Sequence, residues 1–176
     1  MEALWAGWRA AYVSGEHDPE ECLFCRLPQL GPDEETFILE RGERGFSVLN
    51  LFPYTTGHFV AAPYRHVAEL GDLTEDERSE LWRLAVRGQR ACGEALRPQG
   101  FNLGANLGRV AGAGVPDHFH LHVVPRWEGD TNFMTSLASV RVMPEALPDT
   151  WAKLRKALLP PPPGPGGLGE RRPAVE

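Results

Sequence analysis

The sequence lacks long apolar runs and lacks an excess of positive charge. No stretch approaches the roughly 18 consecutive apolar residues of a membrane-spanning helix, so no membrane contact is expected. The 24 acidic residues outnumber the 18 lysines and arginines, which gives a net charge of −6. Proteins that bind duplex nucleic acid neutralise phosphates with clustered basic residues, so that partner is not expected either. A small anionic ligand stays compatible, because a pocket can be locally basic on an acidic protein.

Cysteine is also scarce. Three cysteines make a poor disulfide framework, and two of them form the pair Cys22-Leu-Phe-Cys25. The start of the chain is acidic and lacks the basic, apolar and small-residue order of a secretory signal, so we expect a cytoplasmic protein. In that compartment the spacing of the pair indicates metal binding or redox chemistry rather than a structural bridge.

Alternating hydrophobic patterns predict an antiparallel sheet. Residues 36–41 and 45–51 are typical of two strands joined by a turn at 42–44, and residues 58–62 are typical of a third strand. Residues 118–127 alternate strictly between polar and apolar side chains, which predicts a further strand.

Helical patterns surround these strands. Apolar residues recur at helical spacing over residues 2–13, which indicates an amphipathic N-terminal helix. Thr74 and Glu77 form a capping box ahead of a long helical pattern. Its apolar face carries Leu81, Leu84, Ala85, Gly88, Ala91 and Cys92. Residues 148–159 predict a short C-terminal helix.

The predicted fold class is α+β, an antiparallel sheet crossed by one main helix, with short N- and C-terminal helices. Residues 1–159 are expected to form a single domain, since 42% of the chain is hydrophobic and no internal repeat is present. Residues 160–176 are rich in proline and glycine and cannot bury a core, so we expect a disordered tail there.

Three histidines stand at alternate positions of the strand predicted over 118–127. Side chains spaced by two point to one face of a strand, so His118, His120 and His122 are expected to form a row. Two chemistries suit such a row. One is metal ligation, and the other is nucleophilic attack by a neutral imidazole whose second ring nitrogen donates to a fixed acceptor. Core histidines bonded to backbone carbonyls are the purely structural alternative.

Residues near the row favour an anion site. Upstream lie Asn102, Asn106 and a loop whose glycines, Gly112 and Gly114, let backbone N–H groups approach an anion closely. Downstream, the guanidinium of Arg126 is suited to phosphate oxygens. A glycine-rich loop is weak evidence by itself, but directly before a histidine row it fits a phosphate site.

The segment His118-Phe-His120-Leu-His122-Val-Val resembles the motif that names the histidine-triad (HIT) superfamily. The stretch 50–66 is similar to the nucleoside-binding strands of that family, and the resemblance covers residues 20–145 or so. Two further stretches are similar to the bacterial branch of diadenosine tetraphosphate phosphorylases and hydrolases. They are Pro-Arg-Trp-Glu-Gly-Asp-Thr-Asn-Phe-Met and Asn-Leu-Gly-Arg-Val-Ala-Gly-Ala-Gly.

The resemblance implies a role for each matching residue. His120 corresponds to the nucleophile, which forms a nucleotidyl-imidazole intermediate. His122 corresponds to the residue that contacts the phosphate and the bridging oxygen. Asn50 matches the ligand of the ribose hydroxyls, and Asn106 resembles a polar residue near the α-phosphate.

One stretch departs from the family pattern. Many members carry Gly-Gln-Ser/Thr before the motif, where this chain has Gly112-Ala-Gly114-Val-Pro-Asp. Phosphate contact is therefore expected to rely on backbone N–H groups and on Asn102 or Asn106.

The pair Cys22 and Cys25 has the spacing of a zinc-binding knuckle. In several bacterial relatives, and in galactose-1-phosphate uridylyltransferases, such a pair joins two histidines around zinc, and the matching residues here are His66 and His118. The resemblance thus implies a closed structural zinc site, with two buried cysteines that hold no metal as the alternative. A magnesium ion carried by substrate phosphates is compatible with the expected mechanism.

The implied activity is cleavage of a phosphoanhydride-type bond at the α-phosphate of a small-molecule nucleotide, such as diadenosine tetraphosphate, through a nucleotidyl-His120 intermediate. Hydrolase and phosphorylase differ only in the acceptor, water or inorganic phosphate, and both stay open. A non-catalytic nucleotide sensor and a metalloenzyme that uses the histidine row as ligands are the alternatives from other classes. The resemblance also implies a homodimer.

Overall fold

The computed structural model describes residues 22–130 and 145–159. The predicted helix over 2–13 and the predicted tail 160–176 lie outside these ranges. Within them, one five-stranded antiparallel sheet is crossed by a single long helix, and short helices flank it. The predicted α+β class is confirmed. No helix of the described ranges combines the length and the apolarity that a membrane span needs.

Four α-helices and five strands, with three short 3-10 helices at Leu27–Gln29, Leu70–Asp72 and Arg109–Ala111, make up the described fold. The helices are α1 (Leu23–Arg26), α2 (Asp33–Thr36), α3 (Glu75–Leu96) and α4 (Leu147–Leu158). The strands are β1 (Ile38–Arg41), β2 (Gly45–Leu49), β3 (Phe59–Pro63), β4 (Gly100–Gly104) and β5 (Leu121–Arg126). Their order in the sheet is β1-β2-β3-β5-β4, so β5 lies between β3 and β4.

The strands differ from the predicted ones mainly at their starts. Phe37 ends α2 in the left-handed region with φ 58°, so β1 begins at Ile38, two residues after the predicted start. The strand predicted from residue 118 begins only at Leu121. In the preceding residues, the backbone N–H of Phe119 donates to the carbonyl of Val67 at 2.6 Å, outside the ladder with β3. The alternating pattern therefore predicts the extended backbone but does not predict which of the extended residues pair in the sheet.

The long helix α3 begins at the predicted capping box. The Thr74 hydroxyl accepts from the Glu77 N–H at 3.2 Å, and the Glu77 carboxylate accepts from the Thr74 N–H at 2.8 Å. Arg65 donates to the same carboxylate at 2.7 and 3.0 Å, and this pairing lowers the pKa of Glu77 to about 2. The six residues predicted on its apolar face are all buried. Gly88 allows the close packing on the sheet, because a Cβ there would collide with the Phe59 ring.

Each face of the sheet carries a cluster of buried residues, whereas the edge strand β4 is mostly exposed. One face packs against α3 and α4 through residues that include Leu39, Leu49, Phe59, Leu84 and Val123. The other face carries a second cluster with α1, made of Phe24, Leu27, Ile38, Phe46, Val48, Val60 and Ala62.

Helix α4 closes the sheet at β1. The Trp151 indole donates to the carbonyl of Ile38 at 2.9 Å, and the Arg155 guanidinium donates to the carbonyl of Leu39 at 2.8 Å. Leu154 of this helix is fully buried, and the helix predicted over residues 148–159 is confirmed. Of the two outermost strands, β1 is therefore covered by side chains of α4.

Candidate active site

The histidine row lies on the face of the sheet that α1 covers. His118 and His120 precede β5 and are buried, while His122 belongs to the strand. The structure shows the expected alternation, since Phe119, Leu121 and Val123 belong to the cluster on the opposite face. The rings of His120 and His122 meet edge to face with centroids 4.8 Å apart.

The protonation state of His120 is fixed by the backbone. Its Nδ1 lies 2.8 Å from the carbonyl oxygen of His118. A carbonyl only accepts, so Nδ1 carries the proton and Nε2 keeps its lone pair. Burial lowers the pKa of His120, and the bond to the carbonyl opposes that shift only in part. At neutral pH the imidazole is therefore uncharged, and Nε2 is a nucleophile.

A second fixed chain of hydrogen bonds runs to His122. The Tyr54 N–H donates to His58 Nδ1 at 3.0 Å, so the proton of the His58 ring is on Nε2. That Nε2 lies 2.9 Å from His122 Nδ1 and donates to it. The proton of the neutral His122 ring is therefore on its own Nε2.

The Nε2–H of His122 is available to donate a hydrogen bond to a ligand. It is buried and has no hydrogen-bond partner among the described residues. Burial, and to a smaller extent the repulsion between the two rings when both are protonated, lowers the pKa of His122 to about 4, which keeps the ring neutral at neutral pH. A buried donor without a partner is costly, and such groups concentrate where a ligand binds.

Asn50 lies beside the same chain of hydrogen bonds. Its Oδ1 accepts from the Phe52 N–H at 2.9 Å, and its Nδ2 lies 3.4 and 3.5 Å from the two ring nitrogens of His58. The side chain thus braces the loop before β3 and stands at the His122 end of the row. Its contact with ribose stays a prediction.

Four possible metal ligands converge at the other end of the row. Cys22 Sγ lies 3.3 Å from His118 Nδ1, and Cys25 Sγ lies 3.4 Å from His66 Nδ1 and 3.6 Å from His118 Nδ1. All four ligand atoms lie within 4.8 Å of one another. Tetrahedral zinc with bonds of about 2.0–2.3 Å places its ligands about 3.3–3.8 Å apart, so the donor set and the spacing fit zinc.

The orientation of His118 suits a ligand. Its Nε2 donates to the carbonyl of Pro63 at 2.9 Å, which leaves the Nδ1 lone pair directed at the thiols. The cluster includes neither His120 nor His122 within the described ranges. The geometry therefore places the candidate metal ligands at one end of the row and the available lone pair of His120 toward the other, and it does not support a metal held by all three histidines.

The remaining predicted contacts are only partly near the row. Arg126 lies four residues beyond His122, about 13 Å along the strand. It makes two bonds to Asp130, at 2.6 and 2.7 Å, and one to Asn102 Oδ1 at 2.8 Å. The pairing with Asp130 raises the pKa of Arg126 and compensates its charge. Phosphate binding by Arg126 or Asn102 therefore requires that this network open.

The glycine-rich loop is also bonded internally. The Gly112 N–H donates to the carbonyl of Arg109 at 3.0 Å, and Asn106 Nδ2 donates to the carbonyl of Gly112 at 3.5 Å. Gly112 adopts a φ of 93°, which favours glycine. Gly114 is exposed in the same loop. Phosphate contacts of the loop stay predictions.

Sequence reasoning missed two residues of the site, His58 and Phe24. His58 is fully buried and sets the tautomer of His122. The sequence feature that could have identified His58 is its position in the stretch 50–66, eight residues after Asn50. Phe24 lies between the two cysteines, and its ring contacts the rings of His118 and His120. No spacing rule in the sequence connects residue 24 with residue 120.

A five-stranded antiparallel sheet with one crossing helix and a row of alternating histidines defines the histidine-triad class of protein. The chain belongs to the HIT domain family, whose model matches residues 32–129. The family resemblance of the sequence is thereby confirmed.

Named relatives lie within this family. The chain is 41% identical over 158 residues to a protein of Mycobacterium tuberculosis named AP-4-A phosphorylase, across 85% of this chain and 80% of the relative. It is 34% identical over 88 residues to a bis(5'-adenosyl)-triphosphatase of Dictyostelium discoideum, across 50% of this chain and 58% of that protein. Among solved structures, it is similar to a Zn-bound histidine triad family protein from Mycobacterium smegmatis, with TM-score 0.63, 30% identity and coverage of 78% and 93% of the two chains.

Proposed function

We propose that this protein cleaves dinucleoside polyphosphates of the diadenosine tetraphosphate type by nucleotidyl transfer to His120. The observation that carries the proposal is the tautomer of His120, whose Nδ1 donates to a carbonyl, which leaves the Nε2 lone pair available on a ring 4.8 Å from that of His122. The names of the two relatives, a phosphorylase and a triphosphatase of diadenosine compounds, support the substrate class.

The reaction has two steps. Nε2 of His120 attacks the α-phosphorus in line, and the bond to the bridging oxygen breaks, which releases the remaining nucleoside polyphosphate. The Nε2–H of His122 stabilises the negative charge on the phosphoryl and leaving oxygens. Water or inorganic phosphate then attacks the α-phosphorus, and the P–N bond breaks, so that Nε2 recovers its lone pair. Water yields a nucleoside monophosphate and phosphate yields a nucleoside diphosphate.

Product analysis tests the proposal and separates its two forms. The protein is incubated with diadenosine tetraphosphate, with and without inorganic phosphate, and the products are resolved by ion-exchange chromatography. A hydrolase gives ATP and AMP in both samples, whereas a phosphorylase gives ATP and ADP only with phosphate. Formation of ADP alone would place the cleavage at the central bridge and contradict attack on the α-phosphorus. His120→Asn is the control for contaminating activity.

We also propose that Cys22, Cys25, His66 and His118 hold one structural zinc ion. The spacing of the four ligand atoms and the Zn-bound relative from M. smegmatis support this assignment. Bound zinc would supply a cross-link between the α1 segment and the start of the histidine row, with no open coordination position for chemistry. Magnesium is assigned only to the substrate phosphates, where the products of the same assay with and without chelator test it.

The proposal extends to the assembly and to the chain ends. We propose a cytoplasmic homodimer in which residues 1–159 form the functional domain and residues 160–176 are dispensable. Within the described ranges no strand pairs with the outer side of β4, and Leu103 on that strand is 40% exposed. A second copy could extend the sheet there, and light scattering measures whether the mass is that of two chains. Truncation after Leu159 should leave kcat/KM within about threefold.

A further inference from the structure

The short helix α1 places an aromatic ring against the nucleophile. Phe24 is 6% exposed, and its ring centroid lies 4.9 Å from that of His120, with the planes at 38°. The same ring lies 5.4 Å from the ring of His118. Phe24 stands in the turn that carries the thiols of Cys22 and Cys25, so one turn of helix serves both the metal-ligand cluster and the nucleophile.

The hydrogen bond of His120 does not by itself orient its ring. A single bond from Nδ1 to a carbonyl fixes the tautomer, but rotation about the last side-chain bond of histidine is broad and weakly restrained. Among the described residues, the ring of His120 contacts that of Phe24 at 4.9 Å and that of His122 at 4.8 Å. Packing between these rings therefore restrains the direction of the Nε2 lone pair.

We propose that Phe24 is a positioning residue for His120, which holds the plane of the imidazole so that Nε2 faces the α-phosphorus in line. The inference rests on the proposed function, because the alignment matters only if His120 is the nucleophile. Misplacement of a reacting atom by about 1 Å is enough to reduce a rate about 100-fold. Loss of the ring should therefore affect the chemical step more than substrate binding.

Phe46 offers a matched control. It is a fully buried phenylalanine of the same cluster, its ring lies 6.5 Å from that of Phe24, and it also stacks on the ring of Tyr64. Removing either ring damages the same core, but only Phe24 contacts His120. Phe24→Leu and Phe46→Leu are compared first, because leucine retains most of the apolar volume, and the two alanine variants follow.

Steady-state and binding measurements form one arm of the test. Phe24→Leu should lower kcat about tenfold or more while the Kd for AMP and the zinc content stay at wild-type values, and Phe46→Leu should change kcat less than about threefold. Equal losses in the two variants would reduce Phe24 to a core residue. A weaker Kd for AMP with unchanged kcat would assign Phe24 to the nucleoside pocket, and either result overturns the proposal.

Nuclear magnetic resonance forms the second arm and needs no turnover. The ring protons of His120 in wild-type protein should be shifted by the Phe24 ring, and that shift should disappear in Phe24→Leu and persist in Phe46→Leu. An unchanged His120 signal in Phe24→Leu overturns the inference. If the wild-type protein has no activity on diadenosine tetraphosphate, the proposed function fails, whereas this arm still decides whether the Phe24 ring packs against that of His120.

Discussion

At the scale of single residues, two backbone groups determine which ring nitrogen of His120 and of His122 carries the proton. The carbonyl of His118 holds a proton on His120 Nδ1, and the N–H of Tyr54 acts through His58 to place a proton on His122 Nε2. Hydrogen bonds to the backbone thus give these two neighbouring imidazoles opposite tautomers. One presents a lone pair, and the other presents a donor.

The first prediction concerns the nucleophile. His120→Asn should lower kcat with diadenosine tetraphosphate by at least about 1000-fold and leave the binding of AMP measurable, since asparagine cannot form the covalent intermediate. Stopped assays and calorimetry measure the two effects. Retention of more than about a tenth of wild-type kcat, a barrier change below about 1.4 kcal/mol, would contradict the covalent route.

A second prediction concerns the positioning of the donor. His58→Phe should lower kcat about tenfold to 100-fold, because His122 Nδ1 then loses its donor and the proton of the ring is no longer confined to Nε2. His58→Gln is the matched variant, since its amide N–H₂ can still donate to Nδ1 and should retain more activity. Equal activity of the two variants in steady-state assays would show that His58 acts only through packing.

The sequence indicates the residues of the row but not what connects them. The period of two places three histidines on one face, and the family motif points to His120 and His122. The donor–acceptor chain through His58 depends on the loop 50–58, which brings the Tyr54 N–H to a ring four residues later. Such a contact depends on backbone geometry, for which a sequence pattern carries no period. The compensation of Arg126 by Asp130 escaped prediction for the same reason.

At the scale of elements, hydrophobic period and capping chemistry predict well, and pairing predicts less well. The start of α3 follows from Thr74 and Glu77, which satisfy backbone N–H groups at that end. The start of β5 does not follow from alternation, because the N–H of Phe119 donates to the carbonyl of Val67 and not to a neighbouring strand. Long-range partners decide where a ladder begins, and the local pattern is the same on either side of that point.

The packing of α3 makes a third prediction. Gly88→Ala should destabilise the protein by about 1–3 kcal/mol, because the added methyl group meets the Phe59 ring in a closed core. Gly93→Ala in the same helix is the control. Nothing lies within 4 Å of a Cβ at Gly93. That change should stabilise the protein by about 0.5–1 kcal/mol through helix propensity. Urea unfolding measures both, and the same sign for the two variants would contradict the packing argument.

At the scale of the whole molecule, the metal-ligand cluster joins parts of the chain that are far apart in sequence. Cys22 and His118 are 96 residues apart, and their side chains are neighbours. The fourth prediction is that protein purified without chelator contains one zinc per chain and that Cys22→Ser lowers Tm by several degrees, because ligation energy is partly folding energy. Elemental analysis and calorimetry measure this. Chelator-treated wild type should match the variant, and absence of zinc in the untreated protein rejects the site.

The burial of His122 makes a fifth prediction, on pH. Its folded pKa, about 4, lies below the ordinary value of 6.5, so the unfolded chain binds more protons between these values. The folding stability that depends on neutral His122 is complete above about pH 6.5 and is lost as the pH falls toward 4. Between pH 7.5 and 5, wild type should lose about 1–2 kcal/mol more than His122→Asn. Denaturant unfolding at both pH values decides it, and equal losses would contradict the buried neutral state.

The two outer strands of the sheet have different consequences for assembly. Side chains of α4 donate hydrogen bonds to two backbone carbonyl groups of β1. By contrast, β4 has a neighbouring strand on one side only within the described ranges. An exposed strand edge is a template for further chains, and growth into a fibre requires two such edges on each molecule. In the proposed homodimer, pairing of two copies through β4 uses the one outer strand of each copy that α4 does not cover. The β1 edge stays covered by α4, so Trp151 and Arg155 would keep the proposed assembly at two chains.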